Sequence, residues 1–177
     1  MFKKGFTLIE LLIVIAIIAI LAGVVFVSLN PLKRFEDARN AARWTDVTAL
    51  LSAIKVDQVD NGGQYLDGAA GFSVADLVNG ETYMISNDTA TVPSSGCNTS
   101  CSVVTDANNC VSLDNGTAGL VSEGYLARLP VSPPGAATWD SGTLADKTGY
   151  YISKSANGSI TIGACDAEGG ETISVNR

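Results

Sequence analysis

The chain is 177 residues long, acidic and without histidine, and these properties limit what it can do. A content of 46% hydrophobic and 16% charged residues suits one globular domain joined to an apolar segment. Residues 61–177 carry 4 basic and 12 acidic side chains, which argues against a duplex-binding surface because such surfaces need clustered Lys and Arg. The lack of histidine removes the usual general base and metal ligand, so the composition gives little support for catalysis.

An apolar run near the N-terminus contains one acid, Glu10. Residues 11–29 carry no charge, and with Leu8 and Ile9 they are long enough for a helix that crosses a bilayer. An ionised carboxylate within such a helix costs about 2.5–3.5 kcal/mol and is expected to have a partner. One explanation of Glu10 is a shallow position near the lipid headgroups, from which its side chain reaches water.

The residues before Glu10 suggest a second explanation, since a basic stub and Gly5 precede the apolar run. A secretory signal peptide has the opposite order, with its apolar core ahead of a small-residue cleavage site. Cleavage after Gly5 would leave the apolar helix on the mature protein and give Phe6 a new α-amino group one helical turn from Glu10. This ammonium could pair with the carboxylate within one subunit or between neighbours, and between neighbours the pair would set a register.

The stretch KKGFTLIELLIVIAIIAILA, residues 3–22, closely resembles the leader and N-terminal helix of type IV prepilins and type II secretion pseudopilins. The resemblance implies cleavage between Gly5 and Phe6 by prepilin peptidase, with N-methylation of Phe6 by the same enzyme. Glu10 stands at the family's glutamate position, which is implicated in neutralising the amino terminus of an adjacent subunit during assembly.

The resemblance also implies the type IV pilin fold, of class α+β, in which a long N-terminal helix packs on a C-terminal antiparallel sheet. Apolar residues that recur every three to five positions agree with an amphipathic continuation of the helix. A sheet laid on that continuation would bury Leu50, Leu51 and Ile54. The expected segments are a leader at residues 1–5, a transmembrane and filament-core helix at 6–30, an amphipathic second half at 31–60 and a β-rich head at 61–177.

Two features bound the second half of this helix. Pro31 lacks a backbone donor and clashes with the preceding turn, which predicts either a kink at the membrane surface or a locally melted stretch near Asn30. Family filaments resemble the second case, with a segment that loses helicity on assembly. The run DNGG, residues 60–63, supplies the stop. The predicted apolar face consists of Phe35, Ala38, Ala42, Val47, Leu50, Leu51 and Ile54.

Basic residues lie on both sides of the apolar run, so the positive-inside rule does not decide its orientation. The cysteines and the family resemblance favour a head outside the cytoplasm. We interpret the basic residues after the run as a solvated helix face with internal pairs such as Asp37 near Arg34; contact with acids of neighbouring subunits is the alternative. The cations are Lys33, Arg34, Arg39 and Arg43, and the acids are Glu36, Asp37 and Asp46.

Short β-prone runs separated by Gly, Asn, Asp and Ser predict an antiparallel sheet in the head. Asn157-Gly158 lies between two of these runs and is a strong hairpin turn signal. The stretch GYLARLPVSPPG, residues 124–135, is similar to the segment before the last strands of several pilins and pseudopilins. Ser132 stands where aspartate is common, which argues against the calcium site of some major pseudopilins. The predicted strands are residues 82–86, 102–105, 110–113, 149–154, 160–165 and 172–175.

All four cysteines lie in the head, and an even number in an exported domain favours disulfides. We favour Cys110 with Cys165, because each lies in a predicted strand, and Cys97 with Cys101 as a local clip. A zinc site made of Cys97, Cys101 and Cys110 is the alternative, but the spacing lacks a Cys-x2-Cys pair and the chain has no histidine.

The resemblance implies a structural subunit of a type IV pilus-like filament that serves adhesion, motility or DNA uptake. The precursor would cross the cytoplasmic membrane once, with its head outside, and mature subunits would form a homo-oligomeric filament at the cell surface. Its expected partners are prepilin peptidase, an assembly platform protein, cytoplasmic ATPases and the membrane, with no cofactor, no metal and no activity of its own.

Other functions are also compatible with the sequence. One is a pseudopilin of a type II secretion or competence machine, which shares the N-terminal motif. Another is a membrane-anchored adhesin or receptor that does not polymerise. A third is an anchored hydrolase, which would need an organised carboxylate site, for example from the run DAEGGE at residues 166–171 or from Asp140 and Asp146.

Overall fold

The computed structural model describes residues 5–64, 74–87, 100–106, 110–114, 119–135, 137–140 and 146–177. The chain divides into two compact units, Met1–Phe35 and Glu36–Arg177. Helix makes up most of the first unit, whereas the second combines helix with a five-stranded sheet. The predicted fold class, α+β, is confirmed.

Helix α1 spans Leu8–Leu29 and follows the N-cap residue Thr7. Apolar side chains lie on all its sides, and none of its 22 residues is buried in the described structure. By length and composition this helix can cross a membrane. A helix that is apolar all round is stable only in an apolar environment, which the described part of this single chain does not supply.

The helical run is interrupted at Asn30, one residue before Pro31. Asn30 is left-handed, with φ 39° and ψ 74°, a conformation that asparagine tolerates better than most residues. Pro31 has no N–H to continue α1, but its fixed φ suits the first position of a new helix. Helix α2 accordingly spans Pro31–Asp60. Melting of this region on assembly stays a prediction.

The end of α2 matches the predicted stop. Gly62 and Gly63 have φ angles of 66° and 97°, which glycine adopts without a steric cost. The N–H of Gly63 donates to the carbonyl oxygen of Gln58 at 2.7 Å, and this bond satisfies one of the last carbonyls of the helix.

A short 3-10 helix at Val74–Asp76 precedes the sheet. The strands are β1 at Thr82–Ser86, β2 at Cys110–Ser112, β3 at Lys147–Lys154, β4 at Ile160–Ala164 and β5 at Ser174–Asn176. Their order is β2-β1-β3-β4-β5, and every pair is antiparallel except β1 with β2, which is parallel. The predicted antiparallel sheet is therefore mixed, because the edge strand β2 runs in the same direction as its neighbour β1.

The turn between β3 and β4 contains Asn157-Gly158, as predicted, and Gly158 has a φ of 82°. One predicted strand, residues 102–105, is wrong. Its β-branched residues form a turn instead, in which the Val104 N–H donates to the Cys101 carbonyl oxygen at 3.2 Å. A nearby bond from the Thr105 N–H to the Thr82 carbonyl oxygen, at 2.9 Å, fastens this turn to β1.

The main core lies between α2 and one face of the sheet. Leu50, Leu51 and Ile54 are buried there, as predicted, and full burial of such a side chain is worth about 1.5–3 kcal/mol. Phe35, Ala38 and Ala42 are exposed, which corrects the predicted apolar face. Burial along α2 begins at Asn40 and continues at Arg43 and Val47, so it leaves out Ala42. The sheet contributes Tyr83, Ile85, Tyr150, Ile152, Ile160 and Ile162.

A second cluster lies on the opposite face of the sheet. Because side chains alternate along a strand, Met84 and Tyr151, which pair across β1 and β3, point away from the main core. Trp139 covers the backbone of Gly149, where an added Cβ would lie 2.6 Å from the indole nitrogen. The other buried members are Cys101, Val104 and Cys110.

Candidate processing and assembly site

Gly5 and Phe6 lie outside the helix, directly before Thr7. Phe6 is 85% exposed, and nothing lies within 4 Å of the point where a Cβ on Gly5 would be. Proteases favour exposed segments without regular structure. The bond between Gly5 and Phe6 meets this requirement, and its cleavage stays a prediction.

The carboxylate of Glu10 closes a capping box at the start of α1. Its Oε2 accepts hydrogen bonds from the Thr7 backbone N–H at 2.9 Å and from the Thr7 hydroxyl at 2.7 Å. In return, the Glu10 N–H donates to the Thr7 hydroxyl oxygen at 3.3 Å. Such a box satisfies backbone donors that the first turn leaves unpaired, so Glu10 has a structural role in its own chain.

Glu10 remains exposed, and its carboxylate is accessible to another chain. It lies in the first turn, where the positive end of the helix dipole favours an anion. Phe6 precedes the N-cap, so an amino group created by cleavage there would lie just outside the helix. Pairing of that amine with Glu10 of a neighbour stays a prediction.

Arg43 is fully buried, which corrects its predicted place on a solvated helix face. Its Nε donates to Ser132 Oγ at 3.0 Å and lies 3.4 Å from Asp166 Oδ1. Its two terminal nitrogens donate to Asn40 Oδ1 and to the Pro133 carbonyl oxygen, each at 3.0 Å. A buried guanidinium is tolerated only when it is paired and hydrogen-bonded, and partners distant in sequence supply both conditions.

Ser132 connects the two charges of this cluster. Its hydroxyl accepts from Arg43 and donates to Asp166 Oδ1 at 3.0 Å. A hydroxyl can do both at once, whereas an ionised carboxylate only accepts. Within the described residues, no group of three or more His, Cys, Asp or Glu is placed to hold a metal ion. The cation in this cluster is the guanidinium of Arg43, and the oxygen atoms around it belong to Asn40, Ser132, Pro133 and Asp166.

The acidic run after β4 is fastened to α2. Arg39 Nε donates to Glu168 Oε2 at 2.7 Å. Asn40 Nδ2 donates to the Glu168 carbonyl oxygen at 2.9 Å and to Glu171 Oε2 at 3.1 Å. These carboxylates anchor the C-terminal strands on the helix, so they are not arranged as a paired acid and base.

Tyr150 links the sheet to α2 at another buried point. Its hydroxyl donates to Asp46 Oδ2 at 2.6 Å. Burial raises the pKa of this hydroxyl, and the hydrogen bond to Asp46 raises it further, because both favour the neutral phenol. Asp46, which was a candidate for contacts with neighbours, therefore has a partner inside the head.

The disulfide bond that the structure describes joins Cys101 to Cys165, whose Cα atoms are 5.1 Å apart. The predicted pairs, Cys110 with Cys165 and Cys97 with Cys101, are therefore wrong. Cys110 is also disulfide-bonded, and Cys97 lies outside the described residues. Because Cys101 and Cys110 are oxidised, they do not supply the thiolates that the zinc alternative requires. Closure of a loop with a sequence separation of 64 residues stabilises the fold by about 4 kcal/mol in a chain-entropy treatment.

Residues 1–26 match a family model described as the prokaryotic N-terminal methylation motif. This is the signature of type IV pilins and pseudopilins. The matched segment contains Gly5, Phe6, Glu10 and most of α1. No curated protein and no solved structure matches the chain.

The pilin-type motif supports a pilin-like or pseudopilin precursor anchored in a membrane through α1. It implies processing by prepilin peptidase and assembly with membrane machinery, and proteins with this motif are structural rather than enzymatic. Of the carboxylates that a hydrolase site could use, Asp166, Glu168 and Glu171 contact Arg43, Arg39 and Asn40 in the described head. Asp140 and Asp146 are exposed, and the Asp146 N–H donates to Asp140 Oδ1 at 3.3 Å.

Sequence reasoning missed two features of this chain. The spacing Thr7-x-x-Glu10 is a capping-box signature and was sufficient to predict the bonds between these residues. The burial of Arg43 had no local signal, because its carboxylate partners follow β4 and its hydroxyl partner precedes β3.

Proposed function

We propose that this chain is the structural subunit of a type IV pilus-like filament. The observation that carries the proposal is the methylation motif at the head of α1, a helix of 22 residues with none buried in the described structure. Prepilin peptidase would cleave between Gly5 and Phe6 and methylate the new amino group of Phe6. Lipid would cover α1 in the precursor, and the α1 helices of other copies would cover it in the filament.

Glu10 would pair with the Phe6 amine of a neighbouring copy during assembly. A lone carboxylate in an apolar bundle is costly, and an opposite charge from the next chain offsets that cost. Both hydrogen bonds from Thr7 use Oε2 and hold the carboxylate at the helix start. Only a copy in the matching axial position would bring its amine to that point, so the pair would set the register.

The head would lie outside the cytoplasm, where disulfides such as Cys101–Cys165 persist. An assembly platform protein and cytoplasmic ATPases would move the subunits, and this chain would contribute no catalytic step. The filament would serve adhesion, motility or DNA uptake. A pseudopilin of a secretion or competence machine is the second candidate, because the same motif occurs in both groups.

The test compares wild-type cells with cells that carry Glu10→Ala. The amount of this chain is measured in sheared surface material and in membranes, and electron microscopy detects filaments. A pilin gives filaments that contain the wild-type chain, whereas Glu10→Ala remains in the membrane. A processed wild-type chain found only in membranes indicates the pseudopilin. Surface display without filaments, unchanged by Glu10→Ala, indicates an anchored adhesin or receptor and contradicts the proposal.

A further inference from the structure

The charged residues that flank α1 are separated by about the thickness of a bilayer. Residues 11–32 carry no charge, so the nearest charged residues are Glu10 before them and Lys33 after them. The 22 residues of α1 span about 33 Å, and the hydrocarbon core of a bilayer is about 30 Å thick. When α1 crosses a membrane, the first turn of α2 therefore lies at the level of the lipid headgroups.

The first turn of α2 exposes two apolar and two basic side chains. Leu32 is 73% exposed and Phe35 is 62% exposed, while Lys33 and Arg34 lie between them in the sequence and are exposed as well. Leu32 and Phe35 are three positions apart, so they lie on the same side of the helix. Residues 32–35, which we call the junction, belong to the same compact unit as α1. The junction therefore continues the apolar surface of the membrane helix up to the first cations.

The two cations of the junction differ from the next two arginines of α2. Arg39 donates to Glu168 at 2.7 Å, and Arg43 is fully buried. Lys33 and Arg34 have no hydrogen bond or ion pair through their side chains in the described part of the chain. Two adjacent exposed cations of this kind attract an anion that belongs to another molecule.

A phospholipid satisfies both kinds of side chain at the junction. Its acyl chains accept the apolar side chains, and its phosphate group lies within reach of long basic side chains that extend from the apolar boundary. A small anion in solution would pair with the cations only and would leave Leu32 and Phe35 in water. The backbone is not the anion site, since Pro31 has no N–H and the Arg34 N–H donates to the Asn30 carbonyl oxygen at 3.4 Å.

We propose that the junction binds the headgroups of anionic phospholipids. Lys33 and Arg34 contact the phosphate groups, and Leu32 and Phe35 lie among the outermost carbons of the acyl chains. Zwitterionic lipids attract these cations less, because each headgroup also carries a positive charge. A basic residue near an anionic lipid surface strengthens binding about fivefold, so the two together give about 25-fold. The inference rests on the insertion of α1 in a membrane and goes beyond the proposed function, because it holds whether or not the chain polymerises.

Native mass spectrometry of the full chain, purified in an uncharged detergent, measures this preference for anionic lipid. Phosphatidylglycerol and phosphatidylcholine with the same acyl chains are added in equal amounts, and the ratio of the bound lipids is recorded. A variant with Lys33→Gln and Arg34→Gln is expected to lower this ratio about 25-fold relative to the wild type. A control with Arg128→Gln and Arg177→Gln removes two exposed cations of the head and should keep the wild-type ratio. The two lysines before Gly5 are present in all three chains, so they do not affect the comparison.

An aromatic photo-crosslinking residue in place of Phe35, with a second in place of the exposed Ala156 for comparison, identifies what covers the junction. In phosphatidylglycerol vesicles, lipid adducts at position 35 and none at position 156 support the proposal. Crosslinks from position 35 to a second copy instead of lipid overturn it. An equal lipid ratio in the wild type and in the variant with Lys33→Gln and Arg34→Gln also overturns it. Loss of bound phosphatidylglycerol in an excess of inorganic phosphate would assign the cations to a soluble anion and contradict a lipid surface. None of these results depends on filaments, so they leave the proposed function unchanged.

Discussion

The Nε atom of Arg43 lies 3.4 Å from Oδ1 of Asp166, and the two side chains are 0% and 7% exposed. This ion pair joins α2 to the segment after β4, and Ser132 bridges it through its hydroxyl. Asp166 Oδ2 is buried and has no hydrogen-bond partner in the described structure. The carboxylate therefore depends on Arg43 for compensation of its charge.

Replacement of Arg43 should destabilise the head strongly. Arg43→Met leaves the Asp166 carboxylate buried without a cation, which is expected to lower the free energy of unfolding by about 3–5 kcal/mol. Urea unfolding of the purified full chain in detergent, followed by tryptophan fluorescence, measures the change. Arg34→Met removes an exposed cation from the same helix and should change stability by less than about 0.5 kcal/mol. Equal effects of the two substitutions would contradict the role of the buried pair.

Two glycines with similar backbone angles separate backbone strain from side-chain packing. Gly149 and Gly158 have φ angles of 79° and 82°, so an alanine at either position costs about 1 kcal/mol of strain. At Gly158 an added Cβ meets nothing within 4 Å, whereas at Gly149 it meets the ring of Trp139. Gly149→Ala should therefore cost about 1–3 kcal/mol more than Gly158→Ala and change the tryptophan emission spectrum. Equal melting temperatures for the two variants would contradict this packing.

The tyrosines of the head should make stability fall at alkaline pH. Burial raises the pKa of Tyr83 and of Tyr125 to about 12, with smaller effects from nearby acids. Unfolded tyrosines titrate near pH 10, so the unfolded chain loses these protons first. The stabilisation is complete below about pH 10 and declines as the pH rises towards 12. Urea unfolding across this range measures the decline, which should be smaller for Tyr125→Phe. If the free energy of unfolding of Tyr125→Phe falls with pH as steeply as that of the wild type, Tyr125 does not contribute to the decline.

Two substitutions at Glu10 separate its capping role from its charge. Glutamine at this position of a capping box still accepts the Thr7 N–H, so Glu10→Gln keeps the helix start and removes only the charge. We expect Glu10→Gln to be processed like the wild type and to fail in assembly, as Glu10→Ala does. Quantification of the chain in sheared surface material measures assembly. Normal filaments from Glu10→Gln would show that the capping bonds, and not the charge, explain the acid in this apolar helix.

Local pattern predicted those parts of the fold that depend on neighbouring residues. The spacing of Leu50, Leu51 and Ile54 predicted the buried side of α2, and Asn157-Gly158 predicted the turn between β3 and β4. The interruption of the helical run beside Pro31 follows from the missing N–H of proline. These elements need no information from distant parts of the chain.

Long-range pairings were not predictable in the same way. The parallel alignment of β2 with β1 and the bond between Cys101 and Cys165 depend on how the intervening segments return, which no short motif specifies. The prediction that Arg43 faces solvent is wrong for the same reason. The residues next to an arginine in a polar stretch of helix are the same whether or not an acid distant in sequence pairs with it. The candidate site at the N-terminus could be predicted from the sequence because Gly5, Phe6 and Glu10 lie within one short motif.

The most direct measurement of the central claim is the mass of the N-terminal peptide of this chain, taken from sheared surface filaments. We predict a peptide that begins at Phe6 and carries one methyl group on its amino nitrogen, in filaments in which this chain is the main protein. An N-terminal peptide that still contains residues 1–5 would contradict processing at the Gly5–Phe6 bond and, with it, the proposed pairing of the new amine with Glu10.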